Sequence, residues 1–165
     1  MEILHRIAQW YLRRSAPVAW ALAMFVLFAG LVLLAPLGSH APPAVAKDLS
    51  IAWSEQPWTF ASHVLLIPCA QALIFQVAIL DGLARVGGPR WFWLVVSILA
   101  YSLGLHYAKG WFAMLLSAWL GLVYGAAYLA QRRRSLPRAA AMAAALQLGF
   151  TVPGVAVIIL AHRLV

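Results

Sequence analysis

Residues 111–130 read WFAMLLSAWLGLVYGAAYLA, and residues 131–134 continue as QRRR. Twenty residues of α-helix rise about 30 Å, the thickness of a bilayer's hydrocarbon core. No charged side chain interrupts the run, and three arginines mark the place where it returns to water. A backbone can cross that core only as a helix or a closed barrel, because no water is present to pair its open groups. Working outward, residues 17–37, 59–83, 91–107 and 139–161 have the same character. The whole chain of 165 residues is 65% hydrophobic and 10% charged. Soluble domains carry about 25% charged residues, so a soluble enzyme, a disordered tail and a nucleic-acid module are excluded. The expected fold is all-α: one transmembrane helical domain over residues 16–165 with about five spans.

Charge orders the spans. Twelve Lys and Arg stand against four acids, a net charge of +8. With the N-terminus in the cytoplasm, Arg6, Arg13, Arg14, Arg85, Arg90, Arg132, Arg133, Arg134 and Arg138 fall inside. Lys47, Lys109 and Arg163 fall outside. Nine against three follows the positive-inside rule. Five spans then leave the C-terminus outside, and the expected location is a bacterial cytoplasmic (inner) membrane. The basic excess is thereby assigned to topology and anionic headgroups, and calls for no nucleic acid. The first span reads as an uncleaved anchor, since its apolar run exceeds the 7–15 residues of a signal peptide. Before it, Ile3, Leu4, Ile7 and Tyr11 at helical spacing suggest an interfacial amphipathic segment over residues 1–15. Residues 38–58 form the long outer loop.

Polar residues inside spans are costly and often mark function. They are His63, Cys69, Gln71, Gln76, Asp81, Ser97, Ser102, His106, Ser117 and Gln147. Depth decides which can meet. Counted from the inner ends at the α-helical rise, Gln71 and His106 both lie about 21–23 Å deep, and Gln147 about 13–14 Å. Gln71 and His106 are therefore expected to face each other, with Gln147 a little below. His63 lies about 12 Å above Gln71, so sharing a metal or haem with His106 would require a strong tilt. Ser97, Ser102 and Ser117 read as hydrogen bonds between helices. Asp81 and Arg85, four apart, read as an ion pair along one helical face. One cysteine excludes an intramolecular disulfide and a multi-cysteine metal site; no metal and no cofactor is expected. Gly121 and Gly125 form a GxxxG that allows close helix approach, within the chain or to another one.

In order along the chain, Gln71-Ala-Leu-Ile-Phe-Gln76, Ser102-Leu-Gly-Leu-His106, Gly121-Leu-Val-Tyr-Gly125-Ala-Ala-Tyr128, Arg132-Arg-Arg-Ser135-Leu136 and Ala143-Ala-Ala-Leu-Gln147 carry a pattern. It resembles the CPBP family, intramembrane glutamic proteases of the CAAX-processing and bacteriocin-processing type, whose members show EExxxR, FxxxH, a GxxxGxxY-like helix, a basic turn and HxxxN. The resemblance implies a helical membrane scaffold and a water activated by a glutamate and histidines. At the matching positions this chain carries Gln71 and Ala72 for the glutamates and Gln76 for the arginine. Ser102 stands for the phenylalanine, with Tyr101 one place off. Ala143 and Gln147 replace the last histidine and the asparagine, and His106 alone is retained. A neutral amide cannot accept a proton from water as a carboxylate does.

Three functions follow. The first is a binding, assembly or structural subunit on a CPBP-like scaffold without hydrolysis, sitting in the lipid bilayer and holding a peptide or lipid in the former cleft or joining another membrane protein. The second is a diverged membrane hydrolase using His106, Gln71 and Gln147. The third is a haem or chlorin carrier with His63 or His106 as ligand.

Overall fold

In the computed structural model the described residues are 15–38, 58, 61–106 and 110–163, and they form no strand. Five helices follow one another. They are α1 (Ala16–Gly38), α2 (Ser62–Gly82, continued by a 3₁₀ turn over Leu83–Val86), α3 (Arg90–His106), α4 (Trp111–Arg132) and α5 (Leu136–Arg163). Four stretches are long and apolar enough to cross a membrane: Ala16–Leu34, Val64–Gly82, Trp111–Arg132 and Leu136–Ala156. The chain is thus a helical membrane bundle. The span expected over 91–107 corresponds to α3, whose 17 residues rise about 25 Å; its apolar stretch, Arg90–Gly104, falls short of the other four. The interfacial segment expected at residues 1–15 and the outer loop over 38–58 lie almost wholly outside the described residues.

α4 is the centre. Among its buried residues, Ser117, Gly121, Tyr124, Tyr128 and Gln131 recur every three or four positions, the period that keeps one face inward. α1, α3 and α5 pack around it, with the second half of α2. The turns at 87–89 and 133–135 are short, so α2 lies antiparallel to α3 and α4 to α5. Gly87 and Gly88 make the first reversal at φ of 104° and 99°, a region open to glycine without steric cost. The Trp93 indole N–H donates to Gly87 O at 2.9 Å across that turn. Outward, Phe25, Val32 and Leu33 are all more than 70% exposed, an apolar surface that lipid covers.

Gly121 and Gly125 pack within the chain. A Cβ on Gly121 would lie 3.5 Å from Ile98 Cα, and one on Gly125 would overlap Leu94 Cδ1 and approach Gln76 Oε1. The GxxxG surface therefore receives α3 and α2. Two indoles attach α1. The Trp119 ring lies where a side chain on Gly30 would go, and its Nε1 donates to Leu27 O at 3.3 Å. In the reverse sense, Trp20 of α1 sits against Gly149 of α5.

α2 departs from α-helical winding. Residues Ser62–Leu66 and Ala72–Gly82 wind with i→i+5 bonds, on either side of an α-helical Ile67–Gln71. The buried positions explain what that winding achieves. Val64, Pro68, Ala72, Gln76 and Leu80 are all buried, every fourth residue without a break. In an α-helix of 3.6 residues per turn a four-residue step drifts about 40°, so four such steps drift about 160°. The stripe would then wrap to the opposite face. The wider i→i+5 turn rotates less per residue, cancels that drift and keeps all five residues against the bundle. Ala72 and Leu80 pack there with Tyr128, Ala139 and Ala143.

Candidate functional site

Two polar groups lie at different heights in the bundle. The deeper one joins α2, α3 and α5. Gln147 Nε2 donates to Gln71 Oε1 at 2.8 Å and to the Tyr101 hydroxyl at 3.3 Å. Tyr101 is 4% exposed and Gln147 is 3% exposed, with Gln71 half-buried at the edge. The Tyr101 ring meets Phe75 edge-on at 5.4 Å and Tyr124 edge-on at 6.4 Å. Aromatic edges and faces thus hold the phenol in place. Among the described residues, Gln147 Oε1 and the Tyr124 hydroxyl are buried without a hydrogen-bond partner. The described side chains of this site are amides and phenols, groups that orient and exchange hydrogen bonds but do not take a proton from water at neutral pH.

Of the residues expected there, Gln71 and Gln147 come together. The expected depth difference of about 8 Å does not keep them apart, and the wider turns of α2 remove part of it. Cα atoms stay 3.80 Å apart whatever the winding, so a wider turn must advance less along the axis. Gln71 consequently lies nearer the arginine-bearing end than an α-helical count places it. The side chains of His106 and His63 lie outside the described residues, so neither the facing of Gln71 and His106 nor a ligand role enters this geometry. Among the described residues, no three of His, Cys, Asp and Glu gather in one place.

Gln76, fully buried, pairs elsewhere. The Ser97 hydroxyl donates to Phe75 O at 2.5 Å and also reaches Gln76 Oε1 at 3.2 Å, which ties α3 to α2. Ser102 donates to Met114 O at 2.7 Å and ties α3 to α4. Ser117 does not join helices as expected: it donates to Ala113 O of its own helix at 2.7 Å, the local bond that helical serines find readily.

The second group lies at the arginine-bearing end. Asp81 Oδ2 accepts from Tyr128 Oη at 2.7 Å and from Arg132 Nε at 2.5 Å. The expected Asp81–Arg85 pair is corrected by this geometry. Four-residue pairing belongs to α-helical winding, and here Asp81 ends a wide-turn segment while Arg85 sits in the tighter 3₁₀ turn. Tyr128 and Arg132, four apart on the α-helical α4, do share a face, and that spacing was the available signal for them. Tyr101 was signalled only by its place beside Ser102. Asp81, Arg85 and Arg132 line a pocket of about 430 Å³ whose other walls include Val77, Ala78 and Leu136.

Set against known proteins, the chain finds no match among family models, curated proteins or solved structures.

Proposed function

We propose that this chain is a non-hydrolytic membrane protein that works by binding or assembly, on a scaffold resembling that of the CPBP intramembrane proteases. The observation that carries the reading is the Gln147–Gln71 hydrogen bond of 2.8 Å, capped by Tyr101. Positions separated by 76 residues, which the resemblance matches to a catalytic glutamate and the oxyanion-supporting asparagine, lie side by side and are occupied by two neutral amides. Such a pair locks two helices together and supplies no base. The single described carboxylate, Asp81, is engaged by Tyr128 and Arg132 at another height. The inner-membrane location and the placement of the N-terminus and the arginine-bearing end in the cytoplasm belong to the same proposal, supported by the positive-inside rule.

The test uses the full chain in lipid bilayers with a labelled transmembrane peptide. The expected result is an intact peptide, together with recovery of a membrane partner when the protein is purified from native membrane and analysed by mass spectrometry. Cleavage that disappears in His106→Ala overturns the reading in favour of a diverged hydrolase.

A further inference from the structure

We infer that the pocket at the end of α2 is a binding site for a phosphate group, that of an anionic membrane lipid. This inference stands apart from the hydrolytic question. Its first support is charge. The described arginine side chains Arg85, Arg90, Arg132, Arg133, Arg134 and Arg138 all fall at one end of the bundle, where α2 and α4 end and α3 and α5 begin. Asp81 is the one acid among the described residues. Within the pocket, Arg85 and Arg132 outnumber Asp81 by one charge, so an anion completes the balance.

The second support is the state of Arg132. Its Nε is held by Asp81 at 2.5 Å, which fixes the plane of the guanidinium and leaves the remaining N–H donors of the fork for a second oxyanion. Tyr128 donates to the same carboxylate oxygen, so the carboxylate that orients the arginine is itself held before any ligand arrives. Arg85 is exposed and lines the same pocket. The start of α5 adds the positive end of a helix dipole: Leu136 lines the pocket, and the Ser135 hydroxyl caps the helix by accepting from Arg138 N at 3.3 Å.

The third support selects the lipid over the free ion. Val77, Ala78 and Leu136 form the rest of the wall, and the flank of α2 continues outward through exposed Leu73 and Ile74. Charge at the helix ends followed by an apolar flank matches a headgroup followed by an acyl chain. Basic pockets between transmembrane helices bind lipid headgroups in this way.

The test is native mass spectrometry and thermal melting of the full chain in nanodiscs or detergent, titrated with phosphatidylglycerol or phosphatidylcholine. Phosphatidylglycerol is expected to bind roughly tenfold more tightly than phosphatidylcholine, and Arg85→Gln to weaken it about fivefold. Arg85 is exposed and makes no bond that folding needs, so its variant is expected to melt as the parent does in phosphatidylcholine. Arg138→Gln removes the same charge from the same end but outside the pocket, and is expected to lose less than twofold. Equal losses from the two variants, or no preference for phosphatidylglycerol, overturn the site. Displacement of bound lipid by millimolar inorganic phosphate keeps the site and assigns it to phosphate alone; resistance to it assigns the lipid.

Discussion

The two polar groups of this bundle follow different rules. At the arginine-bearing end, a full charge pair is present: Asp81 accepts from Arg132 and Tyr128, and its side chain is 21% exposed. Deeper, where Gln147 is 3% exposed, the side chains that meet are neutral. The difference follows from what each place does to a charge. Near the interface, water and headgroups share the cost of an ionised carboxylate, whereas at depth that cost falls on the protein alone. An amide pair at depth contributes little energy but brings no ionised group into the bundle. Each region can be disturbed by bringing the other's chemistry into it.

The largest effect is expected from moving charge into the neutral region. Gln147→Glu replaces a neutral amide that donates to Gln71 and Tyr101 with a carboxylate that cannot donate to either. A charged side chain at the centre of a membrane helix costs about 2.5–3.5 kcal/mol, so the variant is expected to lose close to 3 kcal/mol in denaturant unfolding. Wild-type stability at neutral pH would show that the deep site tolerates a carboxylate, and the contrast between the two regions would fail.

Between the regions sits Gly125, where α4 receives Leu94 of α3 and the amide of Gln76. Gly125→Leu is expected to cost about 2 kcal/mol through overpacking. Gly125→Ala is expected to cost much less, since the atom it displaces is the far end of the Leu94 side chain. The ratio of the two separates steric closeness from glycine's backbone freedom, because both variants lose the latter. At the arginine-bearing end, Tyr128→Phe removes one donor from Asp81 and keeps the ring that packs with Ala139 and Ala143. A hydrogen bond to a charged group is worth about 1.5–3 kcal/mol. With Arg132 still in place the expected loss is near the lower figure, read as a fall in the unfolding midpoint.

Much of this was legible in the sequence, for a physical reason. The apolar run over 111–130 gives α4 to within two residues, because a bilayer demands length and apolarity together. The arginines that gather at one end could be read from the same runs. The meeting of Gln71 and Gln147 was only half legible. Both stood out as amides inside spans, but a depth count at the α-helical rise separated them, and the wide turns of Ala72–Gly82 take up part of that separation. That winding has no compositional signature here. The every-fourth stripe Val64, Pro68, Ala72, Gln76, Leu80 holds one amide among four apolar residues on a helix with other apolar residues on every side, and becomes a stripe only once its burial is known. The same winding misled the pairing of Asp81, whose partner came from α4 rather than from its own helix.

The smallest expected effect is the most direct measure of the contrast. Gln71 and Gln147 form one hydrogen bond of 2.8 Å between α2 and α5. Side-chain hydrogen bonds between membrane helices average about 0.6 kcal/mol in double-mutant cycles, with a maximum near 1.7. Gln71→Met and Gln147→Met, singly and together, keep approximate volume and remove the amides. The cycle is expected to return a coupling of about 0.6 kcal/mol. Each single variant should cost more than that, since it removes the partner of the other amide in an apolar setting, with Tyr101 alone remaining for Gln147. A coupling near zero would mean that the two amides are placed side by side without holding each other, and the neutral site would lose its role as a helix lock. A coupling well above the usual maximum would mean that Tyr101, which accepts from the same Gln147 nitrogen, acts with the pair as one unit. Repeating the cycle in a Tyr101→Phe background would then return the coupling to the pairwise value.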